Sequence, residues 1–375
     1  MATPVGLDLD AFWSGLLAGT DGISAIERFA TADLRVGRGG EIKKLPPVAL
    51  GIRSRAVALL VAAAADLGAR ARHDADPARI AVVVGTALGG VEELDHALID
   101  DGSPQRALDG LYDSPAHALA AWLGARGPAL TVSSACASGA TALGLGADLL
   151  REGAADLVVA GGYDILCRFV MRGFDALRSL ARERVRPFDR RRTGLLLGEA
   201  AGLVLLAREA DVRTPRLGRL LGHGSASDAS HIAAPDAEGR GLEAAIRAAL
   251  AAGDVDVADL DFVSAHGTGT VLNDRIETAV LRRVLGARAG AVPVNSIKGA
   301  LGHTMGAAAT LEAIMCLLAA RDGFIPPTVG YEEPDPACDL DYVAGVCREA
   351  RPRRMLSTSL GFGGCNAALV LEGAA

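Results

Sequence analysis

Apolar residues in this chain fall into two kinds of block. One kind is short, continuous and ends in glycine: Arg79-Ile-Ala-Val-Val-Val-Gly-Thr, Ala155-Asp-Leu-Val-Val-Ala-Gly-Gly, Leu260-Asp-Phe-Val-Ser-Ala-His-Gly. Such runs predict strands buried on both faces. Gly198-Glu-Ala-Ala-Gly-Leu-Val-Leu-Leu-Ala and Gly361-Phe-Gly-Gly-Cys-Asn-Ala-Ala-Leu-Val-Leu-Glu read as strands with a Gly-rich entry. The other kind has helical spacing. Phe12, Leu16, Leu17 and Ile23 predict an amphipathic helix over Asp8–Phe29, and Val48–Leu67 is an Ala-rich helix. Small-residue helices are expected at Ala135–Arg151 and Gly306–Ala320. Alternating helix and strand argue for layered α/β architecture. The order of a Gly-ended strand, a small-residue helix and a Gly-entry strand occurs twice. That predicts a duplicated fold, with halves at 1–215 and 216–375 joined near Asp211–Arg219.

Composition narrows the picture. At 375 residues the chain exceeds one ordinary core. Half the residues are hydrophobic but only 4% are aromatic, so the core must be built from Ala, Val, Leu and Gly. No apolar run reaches spanning length, no export signal opens the chain, and the six cysteines show no CxxC spacing. A cytoplasmic, reduced protein without bound metal is expected. A net charge of −7 argues against nucleic acid as the partner. The segment Ala181–Thr193 runs against that charge, with Arg182, Arg184, Arg186, Arg190, Arg191 and Arg192; it reads either as a solvated loop or as a docking patch for an acidic partner.

The chemistry begins at Cys136, in Ser133-Ser-Ala-Cys-Ala-Ser-Gly-Ala. A thiol opening a helix meets free N–H groups and the positive dipole end, which lower its pKa. Small neighbours leave room for a bulky acyl thioester. The run alone admits both a packing thiol and a nucleophile. His266, in Ala265-His-Gly-Thr-Gly-Thr, and His303, in Gly302-His-Thr-Met-Gly, each sit in a Gly-flanked loop expected after an apolar strand. A thiol hydrolase pairs one His with Asn or Asp. Two histidines can instead both donate to one carbonyl oxygen and stabilise an enolate. Lys298, five positions before His303, can perturb that imidazole; Thr268 and Thr270 offer hydroxyls to an extended amide ligand.

Together, SSACASGA, HGTGTVLND, NSIKGALGHTMGAAA and GFGGCNAALVL resemble a β-ketoacyl-acyl-carrier-protein synthase of the elongating fatty-acid and type II polyketide type, and the resemblance covers nearly the whole chain. It implies a thiolase-like layered α/β/α/β/α fold. Cys136 would accept an acyl chain from a carrier-protein phosphopantetheine. His266 and His303 would hold a malonyl thioester and support its decarboxylation, with Lys298 and the buried acid Glu312 organising the network. The N–H groups of Cys136 and Phe362 would form the oxyanion hole, and Phe362 would gate access. Thr268 and Thr270 would bind the pantetheine arm. Arg192, with Arg190 and Arg191, would dock the carrier protein. No cofactor is implied beyond the phosphopantetheine that carries the substrates. A homodimer, or a heterodimer with a chain-length-factor-like subunit, is implied as well.

Three positions depart from the family pattern. Thr3-Pro-Val-Gly stands almost at the start, so the first strand of the first sheet is expected to be missing or supplied otherwise. Ala233 replaces a pantetheine-contacting threonine near His231, and Arg192-Thr-Gly-Leu replaces the commoner Arg-Asp-Gly-Phe. Two alternatives share the fold: acyl transfer to a hydroxyl or amine, and a non-catalytic chain-length partner, against which Cys136 argues. The composition suits a GC-rich genome and secondary metabolism. Acyl-chain length is not readable, although Leu88 is a candidate for shaping the pocket.

Overall fold

The computed structural model describes residues 1–46, 54–212 and 215–374. The first helix, α1 (Leu9–Leu17), is shorter than expected. Asp8 caps it by accepting from the Ala11 N–H, Gly19 at φ +64° ends it, and Ser24–Ala25 then pairs with Arg38–Gly39. The next helix, α2 (Arg55–Asp74), is capped by Ser54; the beginning of the helix expected from Val48 lies outside the described residues.

Two sheets carry the fold. The first holds β1 (Ile80–Gly85), β2 (Ala129–Val132), β3 (Leu157–Asp164) and β4 (Ala200–Leu206), in the order β2-β1-β3-β4. All six residues of β1 and all eight of β3 are buried, as continuous apolar runs require. The second holds β5 (Gly218–Ser227), β6 (Phe262–Ser264), β7 (Pro293–Asn295), β8 (Asp341–Tyr342), β9 (Arg354–Gly361) and β10 (Cys365–Gly373), in the order β8-β7-β6-β9-β10-β5. Both repeat one pattern: β3 lies parallel to β1 and antiparallel to β4, and β9 lies parallel to β6 and antiparallel to β10. The duplication read from sequence is therefore real. Beside β10 runs the ten-residue β5. The matching place beside β4 holds a single bridge, Ala2 to Ala201, with N–H···O distances of 2.8 and 2.9 Å. Among the described residues, what pairs with β4 on that side is this one residue pair.

Between the sheets lie α3 (Ser138–Arg151) and α4 (Ala308–Asp322), which touch both sheets and each other. Their small residues permit this. A Cβ on Gly139 would lie 2.7 Å from the Gly306 carbonyl oxygen, and one on Gly162 of β3 would lie 2.0 Å from it. The outer face of the first sheet is covered by α2, and that of the second by Arg240–Ala252, giving five layers. Among the described residues no helix is long and apolar enough to cross a membrane.

Candidate active site

Cys136 sits at the point of a turn, not on the first turn of α3 as expected. Ala135 takes φ +50°, and the helix begins at Ser138 with Ala137 as its N-cap. The Ser138 hydroxyl accepts the Ser134 N–H (3.0 Å) and lies within 3.1 Å of the Thr86 carbonyl oxygen, fastening the turn to the end of β1. The expected lowering of the thiol's pKa is overturned. Burial pushes the thiol up to about 12, opposed by Lys298 and by the backbone N–H groups of Phe362 and Cys136 itself. Those two N–H groups lie near the sulfur, where they favour negative charge.

Phe362 arrives on the β9–β10 hairpin, whose turn needs Gly363 and Gly364 at φ +83° and +76°. A Cβ on Gly361 would lie 2.9 Å from the Ser134 carbonyl, so this hairpin is pressed against the nucleophile's turn. The Phe362 ring lies 5.6 Å from that of Phe174, centroid to centroid, across the entrance.

The two imidazoles meet edge to face, 5.2 Å apart and 83° inclined. His266 follows β6 directly. His303 does not stand at a strand end: β7 ends at Asn295, and a helical turn, Lys298–Leu301, intervenes. Met305 donates its N–H to His303 Nδ1 (3.3 Å), which places the neutral ring's proton on Nε2. Burial, then Lys298, holds both imidazoles well below the usual histidine range, with each His266 shift reinforced by His303. Both rings are therefore neutral near pH 7. Lys298 and Glu312 form an ion pair of which 2% and 0% of the side chains are exposed. Burial outweighs Lys298 and pushes the Glu312 carboxyl up to about 7.

Cys136, His266 and His303 open into one cavity of about 360 Å³, whose wall includes Thr268, Thr270 and Ala233. The two threonine hydroxyls lie 3.0 Å apart. The cavity wall thus holds Cys136, His266, His303, Phe362, Thr268 and Thr270; Lys298 and Glu312 are a buried pair outside its lining, and the expected docking arginines are absent from it. Arg192 is buried, pairs with Asp335 and donates to the Asp189 carbonyl (2.9 Å), so it is not a surface docking residue. Arg191 pairs with Glu332 and Glu333, and Arg184 and Arg186 share Glu332. The Arg-rich run is folded onto its own acids, and only Arg190 of the three expected docking residues is exposed without an ion-pair partner among the described residues. The cation at the cavity is Arg178, exposed and held at φ +54°. Sequence reasoning missed it because it stands outside the run.

Three buried carboxylates were also missed. Glu277 accepts the N–H groups of His266 (2.7 Å) and Gly267 (2.8 Å) and the Thr358 hydroxyl (2.7 Å), fixing the His266 loop. Asp274 accepts from Phe188 N–H (2.7 Å) and Gly269 N–H (3.2 Å). Asp164, at the end of β3, accepts four donors from two loops.

Comparison with known proteins supplies the family. Residues 1–212 match the beta-ketoacyl synthase N-terminal domain and residues 217–332 its C-terminal domain. The tetracenomycin polyketide synthase ketoacyl synthase alpha subunit of Streptomyces glaucescens is 38% identical over 400 residues, covering 98% of this chain and 94% of that protein. The solved ishigamide ketosynthase/chain length factor superposes with a TM-score of 0.93 at 33% identity, covering 100% of this chain and 97% of the other. A type II acyl-carrier protein in complex with its hexaketide-bound ketosynthase gives 0.92 at 26% identity, covering 100% and 97%. Agreement in sequence and fold over the full length, around a thiol and two neutral imidazoles in one cavity, makes this chain a member of the β-ketoacyl synthase family.

Proposed function

We propose that the protein is a polyketide ketosynthase that extends a carrier-bound acyl chain by decarboxylative Claisen condensation with a malonyl thioester, in the cytoplasm. The observation that carries this reading is the meeting of Cys136, His266 and His303 in one cavity backed by the Lys298–Glu312 pair.

The thiol stays protonated until substrate arrives, because burial pushes it up to about 12. On acylation, Cys136 Sγ bonds to the acyl carbonyl carbon, the pantetheine sulfur leaves, and the Cys136 proton passes to it. The N–H groups of Cys136 and Phe362 stabilise the tetrahedral oxyanion. A malonyl thioester then places its carbonyl oxygen between the two imidazoles. Neutral rings serve this step well: His303 donates its Nε2–H, and a neutral His266 can donate in the same way, without adding a second cation beside Lys298. The carboxylate leaves as carbon dioxide, and its bonding pair becomes the enolate. That carbon attacks the Cys136 thioester, and the thiolate is expelled and reprotonated. Thr268 and Thr270 suit the pantetheine amides; Ala233 removes one hydroxyl from that wall.

The partners proposed are an acyl carrier protein, docked beside Arg178, and a second copy or a chain-length-factor-like subunit. The solved relatives are a ketosynthase with a chain length factor and a ketosynthase with its acyl-carrier protein. No bound cofactor is proposed. The test is incubation with acyl carrier proteins of graded chain length plus malonyl carrier protein, read by intact mass. Acyl-enzyme on the wild type and none on Cys136→Ala is expected; labelling that persists in the variant refutes the nucleophile.

A further inference from the structure

The carboxylate of Asp164 lies between the two half-reactions. It is 1% exposed and stands at the last position of β3. Its Oδ1 accepts the Thr86 hydroxyl (2.8 Å) and the Leu88 N–H (3.2 Å). Its Oδ2 accepts the Ala87 N–H (2.8 Å) and the Gly306 N–H (2.7 Å). The first three donors belong to the loop after β1. That loop is tied to the nucleophile's turn, since the Ser138 hydroxyl meets the Thr86 carbonyl, and the Tyr112 hydroxyl joins the Ala87 carbonyl (2.5 Å) to Ser133 Oγ (2.9 Å).

The fourth donor belongs to the other side of the reaction. Gly306 follows Met305, whose N–H fixes His303 Nδ1, and Met305 is held at φ +49°, a strained conformation for its side chain. No slack remains around Gly306. A Cβ there would lie 2.7 Å from Thr86 Cα and 2.8 Å from Asp164 Oδ2. The Met305–Gly306 peptide therefore cannot turn without breaking a hydrogen bond to Asp164. That peptide shares the Met305 Cα with the Thr304–Met305 peptide, whose N–H is the donor to His303 Nδ1, so anchoring Gly306 also limits where that donor can lie.

We propose that Asp164 is a positioning residue for the decarboxylation step: it aims the His303 Nε2–H by locking the Met305–Gly306 peptide, and it ties that peptide to the loop beside the acylated cysteine. This rests on the ketosynthase reading. It predicts an asymmetry, because acylation of Cys136 does not use His303's aim. An amide at 164 keeps one acceptor oxygen but turns an NH2 toward N–H donors, leaving at least one buried donor unsatisfied.

The test measures acylation of Cys136 by intact mass and carbon dioxide release from malonyl carrier protein, separately, in the wild type, Asp164→Asn, His303→Ala and the double variant. Asp164→Asn is expected to slow carbon dioxide release at least about tenfold, and by a larger factor than it changes acylation, which it reaches only through the loop after β1. In the His303→Ala background the same substitution is expected to cost nothing further, since the group it aims is gone. An equal loss in both steps, or an undiminished loss in the His303→Ala background, overturns the proposal. Thr86→Val guards against a misfolded amide variant: it removes a donor to Oδ1 but leaves the Gly306 bond to Oδ2. Its carbon dioxide release per acyl-enzyme is expected to stay near wild type; a loss as large as that of Asp164→Asn also overturns the proposal. If the wild type neither acylates nor releases carbon dioxide, the ketosynthase reading has failed instead.

Discussion

Removing the Glu312 carboxylate separates stability from chemistry. Lys298 and Glu312 lie together with almost no water contact. Glu312→Leu leaves Lys298 as an uncompensated buried cation. Breaking a buried pair in this way costs about 3–5 kcal/mol, whereas replacing both partners by apolar groups of similar volume is neutral or stabilising by about 1–4 kcal/mol. Three proteins are compared by guanidinium unfolding followed through tryptophan fluorescence: wild type, Glu312→Leu, and Lys298→Met with Glu312→Leu. The single variant is expected to unfold at clearly lower denaturant with unchanged slope, and the double variant to recover wild-type stability or exceed it. Activity is expected to move differently. Both variants lose the organised cation behind His303, so both fall in carbon dioxide release, the stable double variant included. A Glu312→Leu protein as stable as wild type would refute the ion-pair argument. A double variant with wild-type decarboxylation would show that the pair serves packing alone.

Glu312 also makes stability depend on pH. Its carboxyl is raised from 4.5 to about 7 in the folded chain, so between those values the folded state binds the extra proton. This group therefore contributes about 3 kcal/mol that is present below pH 4.5 and lost as pH rises through 7, and the difference between wild type and Glu312→Gln across that window measures it. Both cavity imidazoles are held below the usual histidine range, so, on the proposed mechanism, decarboxylation is expected to show no histidine titration near pH 6.5; a midpoint there would refute neutral donors. Stability should respond oppositely, falling as pH drops below about 6.5, where the unfolded chain takes up protons that the folded histidines refuse. Arg178→Glu is expected to raise the KM for carrier-bound acyl chains, most at low salt, whereas Arg192→Ala is expected to lower the unfolding midpoint; the reverse assignment would restore Arg192 to the docking surface. Ala233→Thr should lower the carrier KM by returning a hydroxyl to the cavity wall, and an unchanged KM would exclude that contact.

Local chemistry made the proposed reacting groups legible. Cys136, His266, Lys298, His303 and Phe362 each sit in a short glycine-flanked run, where the backbone needs freedom and the side chain needs access. Glu277, Asp274 and Asp164 carry no such mark, because their partners are backbone N–H groups up to 142 positions away. The long buried strands announced themselves through Val and Leu. The strands Gly218–Ser227 and Arg354–Gly361 did not, since Gly, Ser and Thr fill them and the sheet is closed by pairing on both sides of β10. The helix over Asp8–Phe29 was overextended because apolar spacing continued past Gly19, where the left-handed backbone stops it. Arg192 was misplaced because charge clustering cannot reveal that Asp189, Glu332 and Asp335 fold back onto the cluster.

The contact at Gly139, Gly162 and Gly306 sets where this enzyme can change. Where backbone meets backbone there is no side chain to trim and no room to add one. Selection for longer or bulkier substrates therefore has nothing to work on at the centre of the molecule. Diversification must be written at the rim, in side chains such as Phe174 and Leu177, while the middle stays invariant in volume. Relatives that handle different chains should differ at the entrance and walls and agree at these three glycines.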